Sequence, residues 1–480
     1  MTVGTPTLKV NAPLKNPKFL GVTIFVLIGL IIGIIRPFTG LVPQGHYILA
    51  TVIIALGLWI FRPGNLPYLA GGTLIIGGGL AFGLPFNVVT AGYFSSAVWV
   101  LIPALYFGFA LQKTGLGKRV AYFVLKSFEP SYPSLIVSWF IIGVLLSALT
   151  PSITVRIAIV MPIAVSIIEA CKLNARSRGA ALISLVAWAM AVLPGTGWLT
   201  GSLWGPIMLG FFPAEMKPLA TFEAWFQIMA LPWLIITVIF VILVYLILKP
   251  KEPLGIQRNT FREQYAALGK ISHHELLTAI ILFASLIAFT TERYHHIPTA
   301  AVALLGFFFL IIFRIITGPE ISSGVNWDVV NFFGVTISLS TIFDKAQVAS
   351  WIGPKLEPSI LSLATNPLIF LITLTTVFWL IRFIDVPWGY TTIALTAALL
   401  IPLYNQFGMH PVLVSVGIIA AGNCFFLNYQ QPFMMVGESI LQGKGWDNSH
   451  VILAGLAYGV AVIASILISY PYWKMIGVIR

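Results

Sequence analysis

The stretch Thr150-Pro-Ser-Ile-Thr-Val-Arg-Ile-Ala-Ile-Val-Met-Pro162 is a polar, proline-interrupted gap between two apolar segments. A related stretch, Tyr390-Thr-Thr-Ile-Ala-Leu-Thr-Ala-Ala-Leu-Leu-Ile-Pro402, follows half of the 480-residue chain later, so that Pro162 aligns with Pro402. Hydrophobic segments that are interrupted at corresponding points of two halves are typical of secondary transporters, where they form the binding site. The sequence therefore predicts a transporter built from two related halves.

The composition is that of a polytopic membrane protein. Hydrophobic residues make up 58% of the chain and charged residues only 9%, whereas about a quarter of a soluble globular protein is charged. The net charge of +12 comes from basic residues in short loops, which membrane topology explains without a nucleic-acid partner. Two cysteines, Cys171 and Cys424, are too few for a disulfide framework or a metal-cysteine cluster.

Apolar segments of roughly the ~20 residues that a bilayer requires predict an all-α protein with about eleven transmembrane helices and two re-entrant hairpins. The hairpins are predicted from short arms on either side of the two polar tips. The predicted spans are 19–36, 45–61, 66–84, 92–112, 177–211, 222–248, 275–291, 298–316, 326–343, 411–441 and 450–472.

The distribution of Lys and Arg predicts the orientation. Most of the 27 basic residues fall on the side that includes the N-terminal leader, and such residues favour the cytoplasmic side. We therefore expect an integral protein of a bacterial or archaeal inner membrane, with the N-terminus cytoplasmic and the C-terminus external. Five spans and one hairpin in each half give an odd number of crossings, so the two halves are expected to form an inverted repeat.

Two spans are themselves interrupted, at Pro194–Ser202 and at Asn428–Pro432. Non-helical backbone at membrane depth is tolerated only where protein or a water-filled cavity satisfies it, so the two tips and two breaks are expected to meet. Half-helices that start at Ser152, Ser202 and Thr392 would point free N–H groups at this centre, which favours an anion. The hydroxyl groups that can donate to the anion or coordinate a cation belong to Thr150, Ser152, Thr154, Thr196, Thr200, Ser202, Thr391 and Thr392.

Charged residues near the tips are further candidates. Arg156 lies one turn beyond the first tip, and a charge at this depth costs about 2.5–3.5 kcal/mol, which suggests a functional role. Its fork suits a carboxylate or a sulfate, and the alternative is a snorkelling or structurally paired arginine. Arg382 and Asp385 share a helical face and can neutralise each other. Glu438 could carry a proton or face cytoplasmic water.

The chain resembles the divalent anion:sodium symporter family, whose members carry dicarboxylates, tricarboxylates and in some cases sulfate. The resemblance covers nearly the whole chain and is most specific in Leu111–Ala121 and in Thr150-Pro-Ser-Ile-Thr-Val-Arg156, which is similar to the Thr-Pro-Ser-Asn-Thr-Ala-Arg run of the citrate, tartrate and plastid dicarboxylate branch. It implies that Ser152-Ile153-Thr154 and Thr392-Ile393-Ala394 bind the substrate. It also implies a homodimer with an elevator mechanism.

The chain departs from the family at both tips, because isoleucine replaces the family's asparagine at Ile153 and Ile393. Weak or absent sodium dependence is therefore predicted, with Na⁺ symport, H⁺ symport and exchange left open. The predicted substrate-binding set also includes Gly201, Asn428 and Tyr429 in the breaks. The candidate cation ligands are Ser147, Ser152, Gly195, Thr392 and Gly422.

These inferences predict a carrier for a small organic dianion of the C4-dicarboxylate type, embedded in the lipid bilayer. A tricarboxylate, sulfate or sulfonate carrier of the same fold remains an alternative, as does an anion channel. An enzyme is not expected, because no nucleophile–base constellation is found. The expected division places scaffold segments at 1–128 and 213–365, transport segments at 129–212 and 366–445, and the last span at 446–480.

Overall fold

The computed structural model describes residues 17–212, 215–216, 221–250, 252, 254–256, 258–352, 354–355, 366–382, 396–397, 400–401, 408–427 and 430–479. Throughout these ranges the regular structure is helical, and one isolated antiparallel bridge joins Met409 to Ile479. The all-α class predicted from the sequence is confirmed.

The described helices are numbered here in chain order. They are α1 Pro17–Ile35, α2 Pro43–Phe61, α3 Tyr68–Ala81, α4 Phe86–Val89, α5 Ser96–Lys113, α6 Leu116–Leu125, α7 Tyr132–Leu149, α8 Ile153–Ala170, α9 Arg178–Val192, α10 Trp204–Gly210, α11 Phe222–Leu248, α12 Arg258–Ala266, α13 His273–Thr290, α14 Glu292–His295, α15 Thr299–Ile312, α16 Gly318–Ser323, α17 Trp327–Lys345, α18 Pro367–Ile381, α19 Pro411–Gly422, α20 Pro432–Leu441 and α21 Asn448–Met475. Short 3₁₀ turns occur at Pro63–Asn65, Ala91–Phe94 and Pro194–Gly197.

Nine helical segments within the described ranges are long and apolar enough to cross a membrane, and four apolar helices, α3, α15, α18 and α19, are shorter. Each of the eleven predicted spans overlaps at least one of the helices above. The two predicted interruptions also fall between helices, because α9 and α10 share one predicted span and α19 and α20 share the other. Most of α1 is exposed, as expected for a helix that faces lipid.

The chain forms two compact units, of which the first comprises Met1–Tyr93 and Asn331–Leu356. In this unit the indole ring of Trp59 packs edge-on against Phe332 at 4.9 Å, and its N–H donates to the carbonyl of Tyr68 at 2.7 Å. The hydroxyl of Ser338 accepts a hydrogen bond from the N–H of Gly92 at 2.8 Å. These contacts join α2, α3 and the 3₁₀ turn to α17 inside one unit.

The second unit comprises Phe94–Val330 and Glu357–Arg480, and it contains both interrupted spans. Every residue of α9 from Gly179 to Val192 is buried, as is every residue of α19 from Pro411 to Gly422. A helix that is apolar on all sides is a core element. The first segments of the two interrupted spans are therefore the interior of this unit, which places their broken ends at buried positions.

Two long helices, α11 and α21, pack together within the second unit. The hydroxyl of Ser465 donates to the carbonyl of Pro232 at 2.7 Å, within the stretch of α11 that a proline interrupts. The indole of Trp473 donates to the carbonyl of Ile228 at 3.1 Å. These polar contacts between apolar helices supply specificity where lipid offers no hydrogen bonds.

The amphipathic helix α6 connects α5 to α7, and a buried ion pair attaches it to α13. Arg119 donates two hydrogen bonds to the carboxylate of Glu275, at 2.9 and 3.1 Å, and a third to the carbonyl of Gly269 at 3.0 Å. The exposed fractions of Arg119 and Glu275 are only 9% and 5%. The pair is well hydrogen-bonded, since Glu275 also accepts from the N–H of Ser272 in a capping box.

Candidate functional site

The first tip is a three-residue break between α7 and α8. Thr150 is extended, with φ −155° and ψ 133°, because the residue before a proline is disfavoured in the helical region. Pro151 has no N–H to continue the helix. The hydroxyl of Thr150 then accepts a hydrogen bond from the N–H of Ser152 at 3.1 Å. The sequence Thr-Pro-Ser therefore ends one helix and begins the next within one buried turn.

Ser152 caps α8, as the sequence predicted for a half-helix starting there. Its hydroxyl accepts from the N–H of Val155 at 3.4 Å. No hydrogen-bond partner is found within the described ranges for the N–H groups of Ile153 and Thr154, the first two residues of α8. Unsatisfied N–H groups and the positive end of the helix dipole together favour a bound anion.

The first break, residues 193–203, lies between α9 and α10 and is buried apart from part of Trp198. It contains a 3₁₀ turn at Pro194–Gly197, whose Thr196 carbonyl accepts from the indole N–H of Trp225 at 3.1 Å. The second segment starts at Trp204 rather than at the predicted Ser202, because residues 198–203 continue as turns. Ser202 still contributes, since its hydroxyl accepts from the N–H of Trp204 at 3.4 Å.

Arg156 joins the first tip to the first break. Its side chain is completely buried, and one terminal nitrogen, Nη1, donates to the carbonyl of Gly201 at 2.8 Å. The other two nitrogens, Nε and Nη2, are inaccessible to water and have no partner in the described part of the chain. A buried charge without full hydrogen bonding carries a large desolvation cost. The positive charge of Arg156 is therefore not compensated by the described residues, and a bound anion could compensate it.

Three glycines allow the elements of the site to come this close. A Cβ atom on Gly201 would lie 2.6 Å from the carbonyl oxygen of Gly195 and 2.8 Å from that of Ser147. A Cβ atom on Gly195 would overlap the guanidinium of Arg156, and one on Gly108 of α5 would lie 2.5 Å from the hydroxyl of Thr150. A larger side chain at Gly195 or Gly201 would push the tip and the break apart, and one at Gly108 would push α5 away from the tip.

The second break lies between α19 and α20, where residues 423–427 and 430–431 are described, and a different arginine holds it. Arg382, the C-cap of α18, donates from Nε to the carbonyl of Cys424 at 3.1 Å and from Nη2 to the carbonyl of Gln430. The amide of Gln430 donates back to the carbonyl of Arg382 at 3.1 Å. The alternative of an Arg382–Asp385 pair falls partly outside the described residues, but the guanidinium is already engaged with backbone carbonyls.

The structure brings together most of the predicted residues of the first half. Ser147, Thr150, Ser152, Ile153, Arg156, Gly195, Thr196, Thr200, Gly201 and Ser202 are all buried, and the contacts above connect the tip to the break. Thr154, in contrast, is exposed, and the candidate cation ligand Gly422 ends α19 in the second half. Glu438 lies on α20 near its C-terminal end. The residues Thr391, Thr392, Ile393, Ala394, Asn428, Tyr429 and Asp385 lie outside the described residues.

Sequence reasoning missed two contributors to the site. Gly108 lies in an apolar span with no polar neighbour to mark it, and only its approach to Thr150 makes it informative. The sequence marked Gln430 only as part of the interruption Asn428–Pro432, whereas its side chain bonds Arg382 and two backbone N–H groups. The sequence signal that could have identified Gln430 is a glutamine in an apolar span, two residues before the proline that starts the next helix.

The fold and this arrangement define a polytopic membrane protein with a buried, anion-compatible centre formed by interrupted helices. A family model described as the sodium:sulfate symporter transmembrane region matches residues 16–479. The chain therefore belongs to this family, which confirms the resemblance to the divalent anion:sodium symporters, and it is a membrane transport protein rather than an enzyme.

Individual relatives agree with this assignment. The chain is similar to the L-tartrate/succinate antiporter of Escherichia coli strain K12, with 25% identity over 389 residues, which cover 78% of this chain and 76% of that protein. It is also similar to the chloroplastic dicarboxylate transporter 1 of Arabidopsis thaliana, with 24% identity over 275 residues, which cover 56% of this chain and 49% of that protein. The crystal structure of the YdaH transporter of Alcanivorax borkumensis has a similar fold, with a TM-score of 0.52, 12% identity, and coverage of 96% of this chain and 98% of that one.

Proposed function

We propose that the protein is a secondary transporter of small organic dianions of the C4-dicarboxylate type, and that it works by exchange. The named relatives include a dicarboxylate transporter and an L-tartrate/succinate antiporter. The observation that carries the proposal is Arg156, a completely buried guanidinium with two unpartnered nitrogens, among the described residues, at the start of α8. A carboxylate is a planar acceptor that fits this fork.

The first half of the site can bind one carboxylate through several donors at once. The unsatisfied N–H groups of Ile153 and Thr154 lie one turn from Arg156 along α8. The hydroxyl of Thr196 is likewise not engaged by any described residue. Because Nε and Nη2 of Arg156 are sealed from water in this structure, binding requires the tip and the first break to separate slightly. In the substrate-free site the buried charge of Arg156 is unpaired, which is energetically unfavourable. A bound carboxylate would pair with this charge.

The same charge explains exchange rather than net transport. Moving the empty site across the membrane would carry an uncompensated guanidinium, whereas in the loaded site one carboxylate of the dianion pairs with the guanidinium and the second carboxylate is left to the second half of the site. A charge at membrane depth costs at least about 2.5 kcal/mol, so return of the empty carrier would be slow. The fixed charge of Arg156, together with Ile153 in place of an amide ligand, also supports weak or absent coupling to Na⁺.

We further infer that the hairpins and interrupted spans, 129–212 and 366–445, move together within a homodimer in the elevator manner that the family resemblance implies. Two contacts support joint movement of these segments. Lys444, in the loop after α20, forms an ion pair with Glu169 at the end of α8, and its carbonyl accepts from the N–H of Arg176 at 3.3 Å. The proposed orientation keeps the N-terminus cytoplasmic and the C-terminus external.

The test is a thermal-stability screen of the purified protein followed by transport in proteoliposomes. Dicarboxylates, tricarboxylates, sulfate and sulfonates are each added with and without Na⁺. We expect C4-dicarboxylates to raise the melting temperature most, with no requirement for Na⁺. Stabilisation by sulfate or a tricarboxylate alone would reassign the substrate within the same fold.

Transport measurements then separate exchange from symport and from a channel. Uptake of labelled succinate should be fast only when the vesicles already contain unlabelled dicarboxylate, and it should saturate. An anion channel would conduct through a continuous polar pore without stimulation from the opposite side. Equal uptake into empty and preloaded vesicles would therefore contradict exchange.

A further inference from the structure

The interruption between α19 and α20 leaves several backbone groups without helical partners in the interior of the second unit. The last carbonyls of a helix and the first N–H groups of the next one have no partners within the helices. Water is scarce here, since Gln430 and Arg382 are both completely buried. Each unsatisfied group in such a place costs about 1–3 kcal/mol. The backbone N–H and carbonyl groups of the second break therefore need hydrogen-bond partners from side chains if the break is to have one conformation.

The side chain of Gln430 satisfies two backbone donors of this segment. Its Oε1 accepts hydrogen bonds from the N–H groups of Phe426 and Leu427, at 2.7 and 2.9 Å. The backbone N–H of Gln430 donates to the carbonyl of Leu427 at 3.0 Å, which closes a tight turn. The side chain and the backbone of Gln430 thus both form hydrogen bonds with the start of the turn, at Phe426 and Leu427.

The side chain of Arg382 satisfies two backbone acceptors of the same segment. It donates to the carbonyls of Cys424 and Gln430, while the Gln430 amide donates to the Arg382 carbonyl at 3.1 Å. Arg382 also caps the C-terminal end of α18, and Cys424 lies two residues beyond the C-terminal end of α19. Each helix C-terminus carries roughly half a negative charge, so two of them together offset one guanidinium.

We propose that Arg382 and Gln430 are a pair of positioning residues that shape the second break, so that its backbone can take part in binding the substrate. This role rests on the proposed function, and it differs from that of Arg156 because Arg382 is compensated by the protein itself. Arg382 therefore does not bind the transported anion. It holds the second break at the place where the second half of the site is expected.

The test compares Gln430→Ala, Gln430→Glu and Arg382→Lys with the wild type in the full-length protein. A glutamate at position 430 keeps an acceptor oxygen for the N–H groups of Phe426 and Leu427 and can pair with Arg382, whereas alanine removes every side-chain contact. Arg119→Lys is the matched control, because it alters another buried and well-bonded arginine that lies outside the breaks.

The first measurement is amide hydrogen exchange of the peptide that covers 424–431, which needs no substrate. We expect exchange at least tenfold faster in Gln430→Ala, and within about threefold of the wild type in Gln430→Glu. The control should leave this peptide unchanged. Unchanged protection in both Gln430→Ala and Arg382→Lys would overturn the proposal. Because this measurement needs no ligand, it tests the pair even if no dicarboxylate binds and the proposed function fails.

The second measurement distinguishes a role in positioning the binding site from a role in the stability of the fold alone. For exchange of succinate, Gln430→Ala and Arg382→Lys should raise KM at least tenfold with the maximal rate kept within about threefold, and the double variant should be no worse than Gln430→Ala alone. Arg119→Lys should lower the melting temperature with KM unchanged. If the break variants behave like this control, the pair is structural only and the proposal is wrong. If Gln430→Ala does not fold, Gln430→Glu and Arg382→Lys decide the question.

Discussion

The two interrupted spans use the same residue type in opposite electrostatic surroundings. Arg156 lies in the first turn of α8, at the positive end of that helix dipole, and two of its nitrogens have no partner in the described ranges. Arg382 caps the negative end of α18 and donates to two carbonyls of the second break. Both side chains are completely buried. Burial of an arginine is thus not by itself a sign of substrate binding.

The difference lies in what compensates the charge. At Arg382 the protein provides carbonyl groups and helix C-termini, so the guanidinium is compensated without a ligand. At Arg156 the surroundings include the positive N-terminal end of its own helix, and among the described residues only the carbonyl of Gly201 accepts a bond from its guanidinium. Under the proposed function, an anion therefore completes the first half of the site, whereas the second half is shaped without one.

The largest expected effect follows from removing the uncompensated charge. Arg156→Ala should abolish dicarboxylate exchange, because truncating one partner of a buried charge pair costs about 2–5 kcal/mol, and about 2.8 kcal/mol is already ~100-fold in affinity. Binding of labelled succinate to the purified variant measures this directly. Arg156→Lys, which keeps the charge without the fork, is the control and should retain weak binding. Wild-type exchange in Arg156→Ala would refute the role of Arg156.

A smaller loss of substrate affinity is expected when a methyl group is placed against the guanidinium of Arg156. In Gly195→Ala the new methyl group would overlap Arg156 and must displace either the side chain or the first break. We expect at least a tenfold increase in the KM for succinate, measured in proteoliposomes. Gly318→Ala is the matched control, because a Cβ atom there would meet nothing within 4 Å. Equal KM values for the two variants would contradict the close packing around Arg156.

Breaking the Arg119–Glu275 pair should affect stability rather than affinity. Glu275→Gln leaves a buried guanidinium without its counter-charge, which typically costs about 3–5 kcal/mol. The melting temperature should fall, while the succinate concentration for half-maximal stabilisation stays the same. A change in that concentration would show that α6 is coupled to the site and that Arg119, like Arg156, affects substrate binding.

Sodium should have little effect on transport. Ile153 offers no side-chain oxygen at the first tip, and the aligned Ile393 lies outside the described residues. Replacing Na⁺ by choline at constant ionic strength should change the succinate exchange rate by less than about twofold. A steep Na⁺ requirement would show that oxygens other than a side chain at position 153 hold the cation, and it would weaken the role given to Arg156.

The smallest effect concerns a peripheral ion pair. Hydrogen bonds from Lys113 and Thr317 lower the pKa of Glu320 to about 2. Because the ordinary pKa of glutamate is about 4.3, this pair stabilises the fold above pH ~4.3, and its contribution is lost as the pH falls towards 2. Glu320→Gln should cost at most about 1 kcal/mol at pH ~7. The melting temperatures of the variant and the wild type should converge at low pH.

The sequence predicted the helical class, the first tip and the two breaks because apolar length and Pro-containing gaps are local properties. Ser152 as the start of α8 was also predictable from local capping chemistry. The contacts of Arg382 were not predictable, because they join positions 382, 424 and 430, which are separated along the chain. The pattern suggested a pairing with Asp385, which lies outside the described residues and stays a prediction, whereas the bonds to the carbonyls of residues 424 and 430 come from a different part of the chain.

The glycines show the same limit. Gly195 and Gly201 were candidates because they lie in an interrupted span, whereas nothing in a single sequence distinguishes Gly108 from the other glycines among the 42 in the chain, and only the hydroxyl of Thr150 opposite it makes it informative. The start of α10 at Trp204 instead of Ser202 also depends on contacts between residues that are far apart in the chain. Arg156 and Gly201 bond across the first break, so tertiary contacts rather than capping preference set its length.

The most direct test is the melting temperature of Arg156→Met and of the wild type, each with and without saturating succinate. Removing an uncompensated buried charge while keeping an apolar side chain of similar length is often neutral or stabilising. We therefore predict that Arg156→Met without ligand melts at or above the wild-type temperature and that succinate no longer stabilises it. A variant that melts several degrees lower and is still stabilised by succinate would contradict the claim that Arg156 awaits the transported anion.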